Sequence, residues 1–218
     1  MASQIDRVQR VSSEAWWRSK EKHVEELCFA EIQEDLYGAR VRYERELNRI
    51  KEKYGVRELP ACSYPLWEPL KGRGKLGEFP VTVVREHYRN EGYNVWVSGS
   101  NKEMGDRFVL VSYPRLRKKT PPHPAYKRMV GVFGREKVEK LNQMVDEAKR
   151  EGKGNRNLGG GDPDLFVFKG ANAQEERFFV EVKYKDQPTP NQRICFPIID
   201  KHLCEIKLVR ISREMLGV

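Results

Sequence analysis

The sequence predicts an α/β fold whose helices and strands alternate between residues 79 and 218. The central observation is a pair of short apolar runs, at residues 165–168 and 178–182, that are rich in β-branched and aromatic side chains. A polar segment separates the two runs, so they predict two buried strands joined by a loop. Helical periodicity before and after this pair predicts the order αβββαβ for the core.

Residues 1–55 are predicted to form an N-terminal helical appendage, because they contain no proline and because the Ser12-Ser13 pair can start a helix. The favoured interpretation is a helix with a solvated charged face that packs on the core or on a partner. The alternative is an arm that binds DNA or the second protomer of a homodimer. Trp16 and Trp17 are interpreted as packing anchors.

Residues 56–78 hold three prolines and three glycines, which exclude long regular structure, so they are predicted to be a linker. The core, residues 79–218, then opens with a helix that Gly92 ends. Strands follow at residues 93–97 and, as a second apolar run, at residues 108–111.

Residues 112–160 are predicted to be an insertion in this core. Its later part is a helix whose buried face is marked by Val138, Leu141, Val145 and Ala148. Its earlier part contains six cations, which are Arg115, Arg117, Lys118, Lys119, Lys127 and Arg128. Two interpretations stay open for these cations: contact with a nucleic-acid backbone, or a charge run that keeps the loop solvated.

After the strand pair, Thr189, Pro190 and Gln192 are typical of a helix start, with Thr as the cap and Gln as the third helical residue. Pro197 is expected to kink this helix or to cut it short. Residues 205–211 alternate well enough to predict the final strand.

Composition narrows the class of protein. At 218 residues and 39% hydrophobic, the chain can bury one domain with an appendage, or two small ones. It contains neither an apolar run of about 18 residues nor a signal-peptide core, so we expect a cytoplasmic or nucleoid-associated protein without a membrane partner.

The net charge of +9 favours a polyanionic partner, although charge alone does not separate DNA from RNA or a membrane surface. The cysteines lack CxxC spacing and are expected to be reduced thiols.

Three charged residues fall on the predicted strand pair, where ionised groups are costly unless they are paired, metal-bound or solvated. Asp164 stands at the start of the first strand, and Glu181 and Lys183 alternate with valines on the second, so they share a face. Two carboxylates can hold a divalent cation that polarises a phosphate and activates water, and the lysine adds positive charge there. The pattern indicates metal-assisted phosphodiester hydrolysis. The alternative is an ordinary ion pair on a surface hairpin.

A longer motif contains these charges. Its residues are, in order, Gly161, Asp162, Pro163, Asp164, Glu181, Val182, Lys183, Asp186 and Gln192. The motif resembles the VRR-NUC branch of the PD-(D/E)XK, or restriction-endonuclease-like, nuclease superfamily, and the resemblance covers residues 79–211. It implies an αβββαβ core of that type, to which the helical appendage and the helical insertion are added.

The resemblance also implies which residues form the active site. Asp164, Glu181 and the Val182 carbonyl would bind Mg²⁺ or Mn²⁺, and Lys183 would be catalytic. Members of the superfamily often place a further glutamate on the first helix, facing the metal, and Glu86 is the candidate for it. The alternatives are that Glu86 is a surface residue or that Glu91, nearer the helix end, takes this place.

Gln192 has two interpretations, as an active-site residue implied by the resemblance or only as the third residue of a capping box. The resemblance implies that the chain is a divalent-metal-dependent DNA endonuclease. It suggests branched, flap or junction DNA as the substrate, and a role in repair, in recombination or in the replication of phages and mobile elements. The alternative is a catalytically silent nucleic-acid-binding or scaffold protein that keeps the nuclease fold.

Overall fold

A computed structural model describes residues 4–27, 78–99, 106–112, 122–151, 161–170, 173, 175–183 and 188–211. Within these residues the helices are α1 (Gln4–Glu21), α2 (Glu78–Asn90), α3 (Pro124–Phe133), α4 (Arg135–Glu151) and α5 (Pro190–His202). The strands are β1 (Glu25–Leu27), β2 (Asn94–Ser98), β3 (Arg107–Phe108), β4 (Leu165–Lys169), β5 (Glu176–Lys183) and β6 (Ile206–Ile211). The predicted α/β class is confirmed.

Over the described residues the strands form a six-stranded mixed sheet in the order β1-β6-β5-β4-β2-β3. β4 runs antiparallel to β2 and β5, whereas β1, β6 and β5 are parallel to one another. The elements α2, β2, β4, β5, α5 and β6 follow one another as αβββαβ, with β3, α3 and α4 inserted after β2. The predicted αβββαβ order of elements is therefore present, and β1 and β3 add one further strand at each edge of the sheet.

The strand predicted at residues 108–111 is wrong in extent. β3 ends at Phe108, and its two residues pair with β2. The N–H groups of residues 110–112 donate to the carboxylate of Asp162 rather than to a neighbouring strand. The run is nevertheless buried. Its apolar composition therefore indicated burial but not strand pairing.

The two faces of the sheet are covered by different helices. α2 covers one face, where Val84 packs in a cluster with Val180 of β5. α1, α3, α4 and α5 cover the other face, which carries Phe179 of the same strand. Because side chains alternate along a strand, Glu181 and Lys183 lie on the face of Phe179.

α1 packs against α5 through two tryptophans. Trp17 is 3% exposed and stacks on Phe196 with the ring centroids 5.5 Å apart. Trp16 donates its indole N–H to Asp200 over 3.1 Å. The interpretation of both tryptophans as packing anchors is confirmed.

α1 begins at Gln4 and runs through the Ser12-Ser13 pair, so the helix start predicted there is wrong. A hydroxyl is tolerated inside a helix when it finds a partner, and Ser13 Oγ donates to the Arg193 carbonyl of α5 over 2.6 Å. That carbonyl is the one that Pro197 leaves without a donor inside the helix. α5 accordingly continues past Pro197 instead of stopping there.

β1 adds part of the N-terminal region to the sheet, where it pairs in parallel with residues 209–211 of β6. The described part of residues 1–55 is thus a helix followed by an edge strand. The rest of that region, from residue 28, and the linker up to residue 77 lie outside the described residues.

α4 carries the buried face predicted for the insertion, with one difference. Val138, Leu141 and Val145 are buried as expected. The last buried residue of the face is Lys149, whereas Ala148 is half-buried. An apolar face therefore ends in a charged side chain.

The described cysteines are free thiols, with Cys195 buried and Cys204 half-buried. Burial raises the pKa of the Cys204 thiol to about 12, so the unreactive protonated form dominates at neutral pH. Cys28 and Cys62 lie outside the described residues.

Candidate functional site

Asp164 is fixed between two strands at the entrance to β4. Its backbone carbonyl accepts a hydrogen bond from the Ser98 N–H of β2 over 2.8 Å. Its carboxylate oxygen Oδ2 accepts from the Val182 N–H of β5 over 2.9 Å. The register that pairs Leu165 with Val180 therefore sets Asp164 next to the end of β5.

Glu181 and Lys183 form a buried ion pair at that end of β5. Lys183 Nζ lies 2.8 Å from Glu181 Oε1, which agrees with the prediction that the two side chains share a face. Glu181 is 1% exposed and Lys183 is 9% exposed. The pair is thus set into the protein beside Asp164, and the alternative of a surface hairpin is wrong.

Gln192 serves the helix start and the charged pair at once. Its Oε1 accepts from the Thr189 N–H over 2.9 Å and its own N–H donates to Thr189 Oγ1 over 3.2 Å, which completes the predicted capping box. Its Nε2 donates to Glu181 Oε1 over 2.6 Å, and Lys183 Nζ donates to its Oε1 over 3.4 Å. The cap therefore holds the amide in place against Glu181.

Asp162 anchors the turn that leads into Asp164. Its carboxylate accepts from the N–H groups of Val111 over 2.6 Å, Ser112 over 3.0 Å and Leu110 over 3.2 Å. Burial raises the pKa of Asp162, and these backbone donors oppose that rise only in part. Sequence reasoning missed this role, because it depends on backbone groups 50 residues away that lack strand partners.

Glu86, the further candidate ligand, lies on α2, the helix that covers the opposite face of the sheet from Glu181. Its Oε1 accepts from Arg85 Nε over 3.0 Å and from Arg89 Nη1 over 2.9 Å. Arg89 also binds Asp106 over 2.8 Å. These contacts place Glu86 in a buried network of charges that holds α2 to the segment before β3.

The predicted nucleic-acid contacts are described only in part. Lys127 is exposed on α3. Arg128 is half-buried, donates to the Arg107 carbonyl over 2.6 Å and lies over the Trp96 ring at 5.8 Å. The other four cations, Arg115, Arg117, Lys118 and Lys119, and the motif residue Asp186 lie outside the described residues.

The oxygen atoms at the end of β5 suit a hard divalent cation. The described residues contain no cluster of three or more His, Cys, Asp or Glu side chains that could enclose a metal ion. Mg²⁺ does not need such a cage, since it keeps several waters and is commonly held by one or two carboxylates together with substrate phosphates. The carboxylates of Asp164 and Glu181 are oxygen donors of the type that such a site uses.

No family model, curated protein or solved structure matches the chain. No helix among the described residues is long and apolar enough to cross a membrane.

Proposed function

We propose that this chain is a divalent-metal-dependent nuclease that hydrolyses phosphodiester bonds in DNA, on a core of the PD-(D/E)XK type that resembles the VRR-NUC branch. The observation that carries the proposal is the 2.8 Å contact of Lys183 with Glu181, next to Asp164 at the start of the neighbouring strand. The αβββαβ succession supports the proposal, since the resemblance implies that order of elements.

The burial of the ion pair between Glu181 and Lys183 favours a catalytic role for these residues over a structural one. A buried ion pair adds little net stability, because the cost of removing both charges from water offsets most of their attraction. Apolar residues of similar volume would stabilise the end of β5 at least as well. The carboxylate of Glu181 and the ammonium of Lys183 are therefore better explained by a reaction that needs them.

Asp164, Glu181 and the Val182 carbonyl would hold Mg²⁺ or Mn²⁺. When bound, the metal ion would act as a Lewis acid, polarising the phosphate and lowering the pKa of a coordinated water. The chain supplies orientation, because Asp164 is fixed by the Val182 N–H and Glu181 is fixed by the amide of Gln192.

Lys183 would stabilise the negative charge that develops on the attacked phosphate and would position the water. We assign it this electrostatic role rather than proton abstraction, because its ammonium is paired with Glu181 at 2.8 Å. Gln192 keeps both groups aligned through its contacts with Glu181 Oε1 and Lys183 Nζ.

The proposal is tested by incubating the protein with linear, nicked, flap and four-way-junction DNA in Mg²⁺ or Mn²⁺. Glu181→Gln removes the proposed ligand, and Glu176→Gln removes an exposed carboxylate of the same strand as a matched control. We expect cleavage by the wild type and by Glu176→Gln but not by Glu181→Gln. Binding without cleavage of any substrate would instead favour the catalytically silent nucleic-acid-binding protein.

A further inference from the structure

A groove of about 530 Å³ lies between α1, α4 and α5. It is formed by the second half of α5, whereas Gln192 of the candidate site lies in the first turn of that helix. Its apolar part is lined by half-buried side chains, which are Trp16, Met144, Ala148, Pro197 and Ile198. Apolar groups that remain partly exposed in a concave surface are typical of a place where a partner binds.

One side of α4 carries opposite charges at its two ends. Lys137 and Lys140 lie near the start of the helix and Glu147 and Glu151 near its end, and all four are exposed. The steps from each of these residues to the next, through Met144, are three or four residues long, so the five side chains follow one side of the helix. At a rise of 1.5 Å per residue, the two ends of this charged row are roughly 20 Å apart.

α5 adds to the basic end of the row. Lys201 and His202 line the groove there. Burial lowers the pKa of His202, and the ammonium groups of Lys201, Lys140 and Lys137 lower it further. The three lysines are therefore close to one imidazole, which is neutral at pH 7, and together they make this end of the groove positive.

The acidic end consists of Glu147 and Glu151, which both line the groove. Asp200 also lines it, but its charge is balanced within the chain. Its carboxylate accepts the indole N–H of Trp16 over 3.1 Å and lies 2.9 Å from Lys20 Nζ. The groove thus runs from a basic end, past an apolar middle, to an acidic end.

We infer that this groove is the interface of a homodimer, in which α4 crosses the α4 of a second copy antiparallel at Met144. A twofold interface requires a patch that is complementary to itself. Met144 stands seven residues from Lys137 and seven from Glu151, so a twofold rotation there sets the basic end of each copy against the acidic end of the other. Trp16 would supply the aromatic anchor of the apolar middle.

The length of the charged row favours a second copy over other occupants. Charges roughly 20 Å apart exceed the span of a small ligand but match a helix of the same length. Two copies that each carry a net charge of +9 repel one another, so opposite charges at the contact are needed to orient them. The inference concerns assembly and does not depend on the nuclease proposal.

Reciprocal charge reversal tests the inference by sedimentation velocity of the protein without nucleic acid. Because the groove is one small patch, we expect a weak wild-type dimer, with a Kd of about 1 to 100 µM. The double variant Glu147→Lys with Glu151→Lys makes both ends basic, and Lys137→Glu with Lys140→Glu makes both ends acidic. Each should weaken self-association at least about 10-fold, because like charges then meet. An equimolar mixture of the two should form a heterodimer with a Kd close to that of the wild type.

Glu91→Lys with Glu176→Lys is the matched control. It makes the same change of net charge as the first variant at exposed positions outside the groove, and it should leave the Kd close to that of the wild type. The second variant lowers the net charge and with it the general repulsion, so a weaker dimer there reports the local contact.

A wild type that is monomeric at about 100 µM would overturn the inference, and would leave the groove to a different partner. A dimer that both reversals weaken no more than the control does would overturn it as well, because the copies would then meet through another surface. Failure of the two reversed variants to associate with each other would equally contradict the antiparallel pairing.

Discussion

The side-chain amide of Gln192 donates to Glu181 over 2.6 Å while its oxygen caps the start of α5. One residue therefore couples the beginning of a helix to a buried carboxylate on a strand. The two interpretations of Gln192 that the sequence left open are compatible, because the capping box orients the amide toward the carboxylate.

Two substitutions at Gln192 separate these roles. Gln192→Ala removes both contacts, so we expect a stability loss of about 1 kcal/mol and a fall in turnover of about 10- to 1,000-fold. Gln192→Glu keeps an acceptor for the Thr189 N–H but brings a second negative charge against Glu181, so the rate should fall although the cap is retained. Melting temperatures and single-turnover rates measure the two effects. A stability loss in Gln192→Ala without a rate loss in either variant would mean that Gln192 only starts a helix.

Asp162 should make stability depend on pH. Burial raises its pKa in the folded protein above the usual 3.8, so the folded state keeps a proton that the unfolded chain loses. Its contribution to stability is therefore full below pH 3.8 and is lost as the pH rises through the raised folded pKa.

Asp162→Asn cannot titrate, so the free energy of unfolding of the wild type relative to this variant should decrease with rising pH. Urea unfolding of both proteins at several pH values measures that difference. Glu147→Gln, an exposed carboxylate on α4, is the control and should give a difference that changes much less with pH. A pH-independent difference for Asp162→Asn would contradict the raised pKa.

Trp17 should be a main contact between α1 and the rest of the fold. It is 3% exposed and stacked on Phe196, so Trp17→Ala is expected to lower the free energy of unfolding by about 3 to 5 kcal/mol. The exposed neighbouring residue Arg18 provides the control. Arg18→Ala should change the free energy of unfolding by less than about 0.5 kcal/mol. Equal effects of the two variants in urea unfolding would show that α1 is not anchored through Trp17.

The parts of the fold that sequence could predict are those with a local physical signal. The apolar runs at residues 165–168 and 178–182 became β4 and β5, because β-branched and aromatic residues between polar loops favour buried strands. The cap formed by Thr189 and Gln192 was predictable for the same reason, since both partners lie within one helical turn.

The parts that were mispredicted or missed depend on contacts between distant residues. Ser13 inside α1 is satisfied by the Arg193 carbonyl, 180 residues away, so its local preference for a helix start was overruled. Asp162 binds backbone groups near residue 111, which local patterns cannot reveal. The burial of Lys149 rather than Ala148 follows from how α4 meets the Gly161 turn.

The central claim, that Asp164 and Glu181 hold a catalytic metal ion, is tested most directly by the single-turnover cleavage rate of Asp164→Asn in Mg²⁺. Asparagine keeps an acceptor for the Val182 N–H, so the turn should remain folded while the charge that binds the metal is lost. We predict a rate below about one hundredth of the wild-type rate, because losing the metal removes several kcal/mol of transition-state stabilisation. Affinity for DNA in Ca²⁺ should stay close to that of the wild type. A rate above about a tenth of the wild-type value would contradict the account.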